Sequence, residues 1–251
     1  MMQRYFLKLA YNGSNYHGWQ IQDNAPSVQE TINKAISIQT GSDINLSGCG
    51  RTDTGVHARE FYAHFDLEKS IEDRENFVFK LNSFLPSDIV IFDLITVNPE
   101  ANTRFDAISR TYEYHITRRK DPFRNDFAYT LFGNIDIDSM NIAADILKEY
   151  SDFTSFSKLH TQVKTNNCKI MQASWKQKDN LLVFTITADR FLRNMVRAIV
   201  GTLLEIGKGK ADIQDIREII NAKDRSKAGF SVPSQGLFLT KIQYPETIFK
   251  S

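Results

Sequence analysis

Ile44-Asn45-Leu46-Ser47-Gly48-Cys49-Gly50-Arg51-Thr52-Asp53-Thr54-Gly55-Val56-His57-Ala58, then the run Phe61-Tyr62-Ala63-His64-Phe65-Asp66-Leu67, is the stretch from which the fold is read. Ile44 to Leu46 leads into a glycine-rich loop, and Phe61 to Leu67 reads as a strand. Gly48, Gly50 and Gly55 let the backbone turn tightly and approach a ligand closely. Two familiar uses of such a loop fail. A phosphate-binding P-loop ends in Gly-Lys-Ser/Thr, whereas Gly50 is followed by Arg51-Thr52-Asp53. The dinucleotide fingerprint needs its third glycine three positions after the second, and Asp53 stands there. From spacing alone, Asp53 is more often a turn-former whose carboxylate bonds nearby amides than a catalytic group.

Outward from the loop, Tyr5 to Tyr11 alternates as a strand. Ser27-Val28-Gln29-Glu30 is a capping box, with Ser27 capping a helix and Glu30 reaching back to the Ser27 amide. Val28, Ile32, Ala35 and Ile36 form that helix's apolar face, and Gly41 ends it. Phe77 to Phe84 reads as helical, stopped before Pro86, and Ile89 to Val97 as β. The second half repeats the style. Tyr112 to Ile116 alternates, Met140 to Tyr150 has a helical period, and Leu181 to Thr187 is β-like. Phe191 to Ile206 reads as the longest amphipathic helix, with Leu192, Met195, Val196, Ile199, Val200 and Leu203 as its core stripe. Ile213 to Ile220 is helical and Gly236 to Tyr244 closes as a strand. Hairpin-forming strands mixed with helices in each half predict an α+β fold, mainly antiparallel, with helices packed on the sheet. At 251 residues one core tends to split, so two similar lobes are expected, 1–103 and 104–251, with the boundary around Pro99 to Asp106.

Composition is that of an ordinary globular protein, 41% hydrophobic and 24% charged. Cys49 and Cys168 make neither a disulfide framework nor a zinc motif. The charged N-terminal segment, Met1 to Lys8, does not read as a signal peptide, and no run reaches membrane-spanning length. These features predict a soluble protein of a reducing compartment, with no membrane partner. Net charge is +1, so any nucleic-acid partner must be met by local charge. Arg118, Arg119, Lys120 and Arg124 cluster against Asp121, and Arg190, Arg193 and Arg197 recur three and four apart. Taken singly, each cluster reads as solvated surface.

His17, His57, His64, His115 and His160 show no metal-binding pattern, so no metal site is expected. His57, four residues after Asp53, either orients it or, more commonly for such a residue, bonds backbone. Arginines beside an apolar helical stripe either snorkel to solvent or bring a permanent cation to a carboxylate. Tyr112 is either a half-buried packing residue or a ring that stacks on an extruded base.

The ordered motifs carry the reading further. Tyr11-Asn12-Gly13, Tyr16-His17-Gly18-Trp19-Gln20, Ser27 to Glu30, Gly50 to Ala58, Leu81-Asn82, Leu85-Pro86, Asp88-Ile89, Arg104-Phe105, Arg110 to Tyr114, Asp152 to Phe156, Phe191 to Arg197 and Gly236 to Leu239 run along nearly the whole chain. Together they resemble the bacterial TruA family of tRNA pseudouridine synthases. The chain departs from the family pattern at Asn12, where Asp is usual, at Glu60-Phe61 and near Asn167-Cys168. The resemblance implies a pseudouridine synthase core with its active-site cleft between the lobes. It implies a cytoplasmic homodimer that isomerises uridines at positions 38, 39 and 40 of the tRNA anticodon stem-loop. Asp53 is then the nucleophile and Arg197 its ion-pair partner. Arg51 holds the target nucleotide out of the stem, and Tyr112 stacks on the uracil. Arg110, Arg118, Arg119, Arg193 and Lys208 are candidate walls of a basic groove.

The residue types suit that chemistry. Isomerisation is redox-neutral with nothing entering or leaving, so no cofactor is expected. A carboxylate can assist by covalent attack or by removing a sugar proton. Two other classes of function compete: a non-catalytic RNA-binding module whose loop holds phosphate, and a hydrolase using Asp53 with His57. A carboxylate is a poor choice in a phosphate loop, and a hydrolase would release free base or phosphate.

Overall fold

Alternation from Tyr5 onward is realised as β1 (Gln3–Tyr11), which buries Phe6, Leu7 and Leu9 completely. The computed structural model describes residues 2–158 and 165–249. It divides into two compact units, Met1–Ile108 with Leu239–Ser251, and Ser109–Phe238.

In the first unit β1 lies between β3 (His57–Leu67) and β4 (Ile89–Thr96), antiparallel to both, and the short β2 (Ser47–Gly48) pairs with β3. α1 (Val28–Thr40) starts where the Ser27 hydroxyl accepts the Glu30 N–H, and ends at Gly41 in the left-handed region, φ 68°. Only half of the capping box forms. The Glu30 carboxylate takes the Lys34 ammonium, one turn on, at 2.6 Å. The stripe Val28, Ile32, Ala35 and Ile36 is buried, and each large aliphatic side chain so placed contributes ~1.5–3 kcal/mol. α2 (Arg74–Phe84) packs on β4 and stops ahead of Pro86.

In the second unit β5 (Ser109–Thr117), β8 (Leu181–Ala188) and β7 (Ile170–Lys178) are antiparallel with β8 in the middle. The two-residue β6 (Tyr129–Thr130) runs parallel to the end of β5. α3 (Ile137–Ile146) packs on β7 and on α4 (Met195–Gly207), and α5 (Asp215–Ala222) follows. The helix expected to reach Tyr150 tightens into a 3-10 turn at Leu147–Glu149. β7 has no counterpart in the sequence reading, because a bulge between Ile170 and Gln172 breaks its period of two.

Phe191 to Ile206 is not all helix. Asn194 takes φ 69°, and the Asp189 carboxylate accepts the N–H groups of Lys169 and Arg190, each at 2.7 Å. The chain ahead of Met195 is thereby held out of the helix. Arg190 and Arg193 precede α4 and share no stripe with Arg197. α4 is 13 residues long, the same as α1, and is apolar almost all round, as a central helix must be.

The compact units differ from the lobes expected at 1–103 and 104–251. The last strand, β9 (Leu237–Gln243), leaves the second unit at Leu239. The Ile242 N–H donates to Glu60 Oε1 at 2.8 Å, the Tyr244 hydroxyl to the Thr103 carbonyl at 2.6 Å, and Asn98 Nδ2 to the Thr247 carbonyl at 2.9 Å. Such pairings are far apart in sequence and leave no local signature.

Backbone lies against backbone where residues 229–232 cross α4. A Cβ on Gly201 would stand 1.8 Å from the Phe230 carbonyl oxygen. The Gly229 N–H donates to Thr202 Oγ1 at 2.8 Å, and the Val232 N–H to the Arg197 carbonyl at 3.2 Å. Gly201→Ala is therefore expected to lower stability by ~1–3 kcal/mol through overpacking. The urea midpoint should fall with the slope unchanged. An unchanged midpoint would show that the 229–232 segment yields without penalty.

Candidate active site

Asp53 sits in a loop gripped by the segment that follows β1. The Gly55 N–H donates to the Tyr16 carbonyl at 3.2 Å, and Gly55 has φ 74°. A Cβ on Gly13 would stand 2.1 Å from the Val56 carbonyl oxygen. One on Gly18, whose φ is 90°, would stand 2.2 Å from the Thr52 carbonyl oxygen. The Thr52 hydroxyl lies 2.9 Å from the Tyr11 hydroxyl, and the Val56 N–H turns back to the Asp53 carbonyl at 3.2 Å. Asp53 itself is half-buried and Arg51 is exposed.

The clasping segment is anchored in turn. Asp88 receives the Tyr16 hydroxyl at 2.7 Å and Asn15 Nδ2 at 3.1 Å, and its carbonyl takes the Asn12 N–H at 2.8 Å. Burial, together with the Asp88 carboxylate, pushes the Tyr16 phenol above its ordinary value. Trp19 stacks on Phe61 with ring centroids 4.1 Å apart, and its indole fills the space a Gly48 side chain would need. His57 is buried, and its Nδ1 accepts the Gly13 N–H at 3.1 Å, so it fixes the clasp. Asn12 and Glu60, two of the positions that depart from the resembled pattern, have bonding partners in the structure. Asn12 Oδ1 accepts from the Ser14 N–H and hydroxyl, a turn that an aspartate would make equally. Glu60 serves Ile242 and the Lys8 ammonium, the latter at 3.1 Å. Burial pushes the Cys168 thiol up to about 12, which keeps it inert.

Arg110, Tyr112, Arg193 and Arg197 lie in the second unit. Tyr112 is half-buried on β5, opposite Ile186, with its ring perpendicular to Phe191 at 5.1 Å between centroids. Tyr114, on the same face of the strand, is fully buried and donates its hydroxyl to the Pro233 carbonyl at 2.7 Å. Burial raises its phenol, and the positive charge of Arg197 opposes that rise. Arg197 Nε donates to the Val232 carbonyl at 2.7 Å. Tyr112's face of β5 and Arg197 are thus referenced to adjacent residues, Pro233 and Val232 respectively. Arg110 Nη1 donates to the Asp189 carbonyl at 2.8 Å. Arg193 is exposed, and its carbonyl takes the Lys158 N–H at 3.1 Å. Arg118 donates to the Gly133 carbonyl, Arg119 is exposed, and the Lys208 ammonium lies 6.0 Å over the Phe230 ring. His160 lies outside the described residues.

Chemically, the first unit offers a carboxylate on a stiff loop. The second offers an aromatic ring of fixed plane and a guanidinium whose direction is set by a carbonyl. Reading the Asp53 loop by its own glycines misses Gly13 and Gly18. Their signal is present in the sequence as two glycines among the aromatics Tyr11, Tyr16 and Trp19, but the backbone they accommodate is 34 to 43 residues away.

A sequence profile of tRNA pseudouridine synthases matches residues 147–245. The chain is 54% identical to tRNA pseudouridine synthase A of Parabacteroides distasonis, over 99% of this chain and 98% of that protein. It is 51% identical to the protein of the same name from Porphyromonas gingivalis, over 99% and 100%. The Clostridium acetobutylicum protein of that name is 40% identical over 97% and 100%.

If the glycine clasp sets the position of Asp53, Gly18→Ala should open it. A methyl group there meets the Thr52 carbonyl and a φ that L-residues disfavour. The expected result is a loss of ~1–3 kcal/mol in stability and faster amide exchange at Gly55 and Val56 than in the unsubstituted protein, with β1 changed less. Unchanged exchange at Gly55 would show that the loop holds its place without the clasp.

Proposed function

The chain belongs to the tRNA pseudouridine synthase A family, and on that premise we propose that it isomerises uridine at positions 38, 39 and 40 of the tRNA anticodon stem-loop, with Asp53 as the catalytic carboxylate. What supports the assignment is the loop itself: the Gly50 to Ala58 motif carries a half-buried carboxylate on backbone pinned from both sides by Gly13 and Gly18.

The reaction breaks the C1′–N1 bond, turns the uracil and joins C5 to C1′. The proton at C5 is lost and one is gained at N1. No electrons are transferred and no atom is lost, so the reaction calls for no redox partner. Asp53 acts on the sugar, either attacking C1′ or taking a sugar proton to give a glycal. Both routes use the carboxylate as base or nucleophile, and in this reading Arg197 is its ion-pair partner. Extruding the base costs a few kcal/mol. Stacking on Tyr112 offsets roughly 1–3 kcal/mol of that, and Arg51 holds the nucleotide out of the stem. Arg110 and Arg193 take phosphates beside the site, and Arg118, Arg119 and Lys208 extend the basic wall. The working form is a cytoplasmic homodimer. Among the described residues, no helix is long and apolar enough to cross a membrane.

Asp53→Asn is nearly isosteric, so folding and tRNA affinity should survive. Pseudouridine formation in an unmodified transcript, read as carbodiimide-reactive residues, should fall by on the order of 10²–10⁴-fold or more. Appreciable turnover by a verified preparation would sink the assignment, and a wild-type protein that binds without product would be a non-catalytic module.

Tyr112 makes a separate test. If stacking is its main contribution, Tyr112→Phe keeps more activity than Tyr112→Leu. Equal inactivity of the two would instead place the requirement on the phenol hydroxyl, in the proton transfer from C5.

A further inference from the structure

Six residues beyond Tyr112, just past the end of β5, the chain enters Arg118-Arg119-Lys120-Asp121-Pro122-Phe123-Arg124. At the rise of an extended strand this loop begins roughly 20 Å from Tyr112 along the same element. It is held in shape. Asp121 Oδ1 accepts the Phe123 N–H at 3.0 Å, and the Asp121 carbonyl accepts the Arg124 N–H at 3.1 Å. Pro122 occupies the second turn position, where its ring fixes φ. The Phe127 N–H closes a following turn on the Arg124 carbonyl at 3.0 Å, and the Thr117 hydroxyl donates to the Arg119 carbonyl at 2.8 Å.

These bonds project Phe123 into solvent at 89% exposure, the highest among the described large hydrophobic residues. Its ring adds nothing to the core of the unit. Of the cations around it, Arg124 is engaged by Asp121 at 3.3 Å, while Arg119 and Lys120 are exposed. A lone planar ring flanked by cations matches an unpaired nucleotide, which offers a π-face beside phosphates. A protein partner would instead favour a contiguous apolar patch, whereas the exposed Pro122 and Phe123 stand in a run dominated by Arg118, Arg119, Lys120 and Arg124.

We propose that this loop is a second contact site for tRNA, distinct from the target pocket, in which Phe123 stacks on an unpaired base and Arg119 and Lys120 take the adjoining phosphates. The proposal rests on the chain being a tRNA-modifying enzyme. The preset turn keeps the ring poised, so little freedom is lost on binding.

The test uses the full-length protein and an unmodified tRNA transcript carrying uridine at position 39. Affinity and single-turnover rate are measured for wild type, Phe123→Ala, Phe123→Trp and Arg119→Ala, with sedimentation mass for each. Phe123→Ala should raise Kd roughly 5- to 150-fold, the range expected for one lost base–ring stack. Its rate at saturating tRNA should fall by less than its affinity does. Phe123→Trp should bind at least as tightly as wild type, and Arg119→Ala should reduce the salt slope by about 0.7. Wild-type affinity in Phe123→Ala overturns the proposal, as does a changed sedimentation mass, which would make the loop a protein interface. A wild-type enzyme that binds the transcript without modifying it would overturn the catalytic reading alone. One that modifies it while Phe123→Ala binds equally well would overturn only this inference.

Discussion

Two stretches of backbone in direct contact, with no side chain between them, hold Asp53 in place. Gly13 and Gly18 are where they touch, at the carbonyls of Val56 and Thr52. Asp88 holds the clasping segment from one end, and His57 and the Trp19–Phe61 stack hold it near the loop. A reactive group gripped through its main chain is positioned by hydrogen bonds and sterics that are stiffer than side-chain torsions. The second unit repeats the device. Gly201 lets residues 229–232 lie on α4, and that segment supplies the carbonyl that aims Arg197. Asp53 in the first unit and Arg197 in the second, the residues proposed for the chemistry, are thus each held by close backbone approach that only glycine permits.

Electrostatics follows from how the acids are used. The chain is nearly neutral, with 31 basic and 30 acidic residues, yet its substrate class is a polyanion. Several acids are spent on cations of the chain itself: Asp66 on Arg4, Glu60 on Lys8, and, at the surface, Glu149 on Arg217. Arg110, Arg118 and Arg197 each donate to a main-chain carbonyl. A carbonyl fixes the direction of a guanidinium and carries no net charge of its own, so these bonds direct the arginines without adding an acid to the count.

What could be read from the sequence was local. Ser27, Gly41 and Pro86 mark helix ends by chemistry that acts within a few residues, and the α1 stripe follows from helical period alone. Features set by distant partners were not legible. The start of α4 depends on the Asp189 carboxylate and on Asn194 in the left-handed region, β7 on a bulge, and the course of β9 on Glu60 and Thr103. At the site, spacing made Asp53 a turn-former through its carboxylate, whereas the turn seen in the structure is closed by its main-chain carbonyl on Val56. Its backbone makes the turn while its carboxylate is assigned the chemistry. Only the ordered motifs, read together, pointed to the carboxylate.

In the proposed mechanism a single carboxylate suffices because of where the uracil goes. Enzymes that cleave glycosidic bonds for good usually place a second acid to protonate the departing group. In an isomerisation the base departs only to rejoin the same sugar carbon through another atom. The protein's work shifts from helping the base leave to keeping it near while it turns. That task suits a flat ring held in one plane, as Tyr112 is by its perpendicular contact with Phe191. It also suits a carboxylate on a loop too tightly clasped to follow the base as it turns. In the proposed reaction, the stiffness conferred by Gly13 and Gly18 would keep the sugar's partner fixed, and the uracil would be the part that moves.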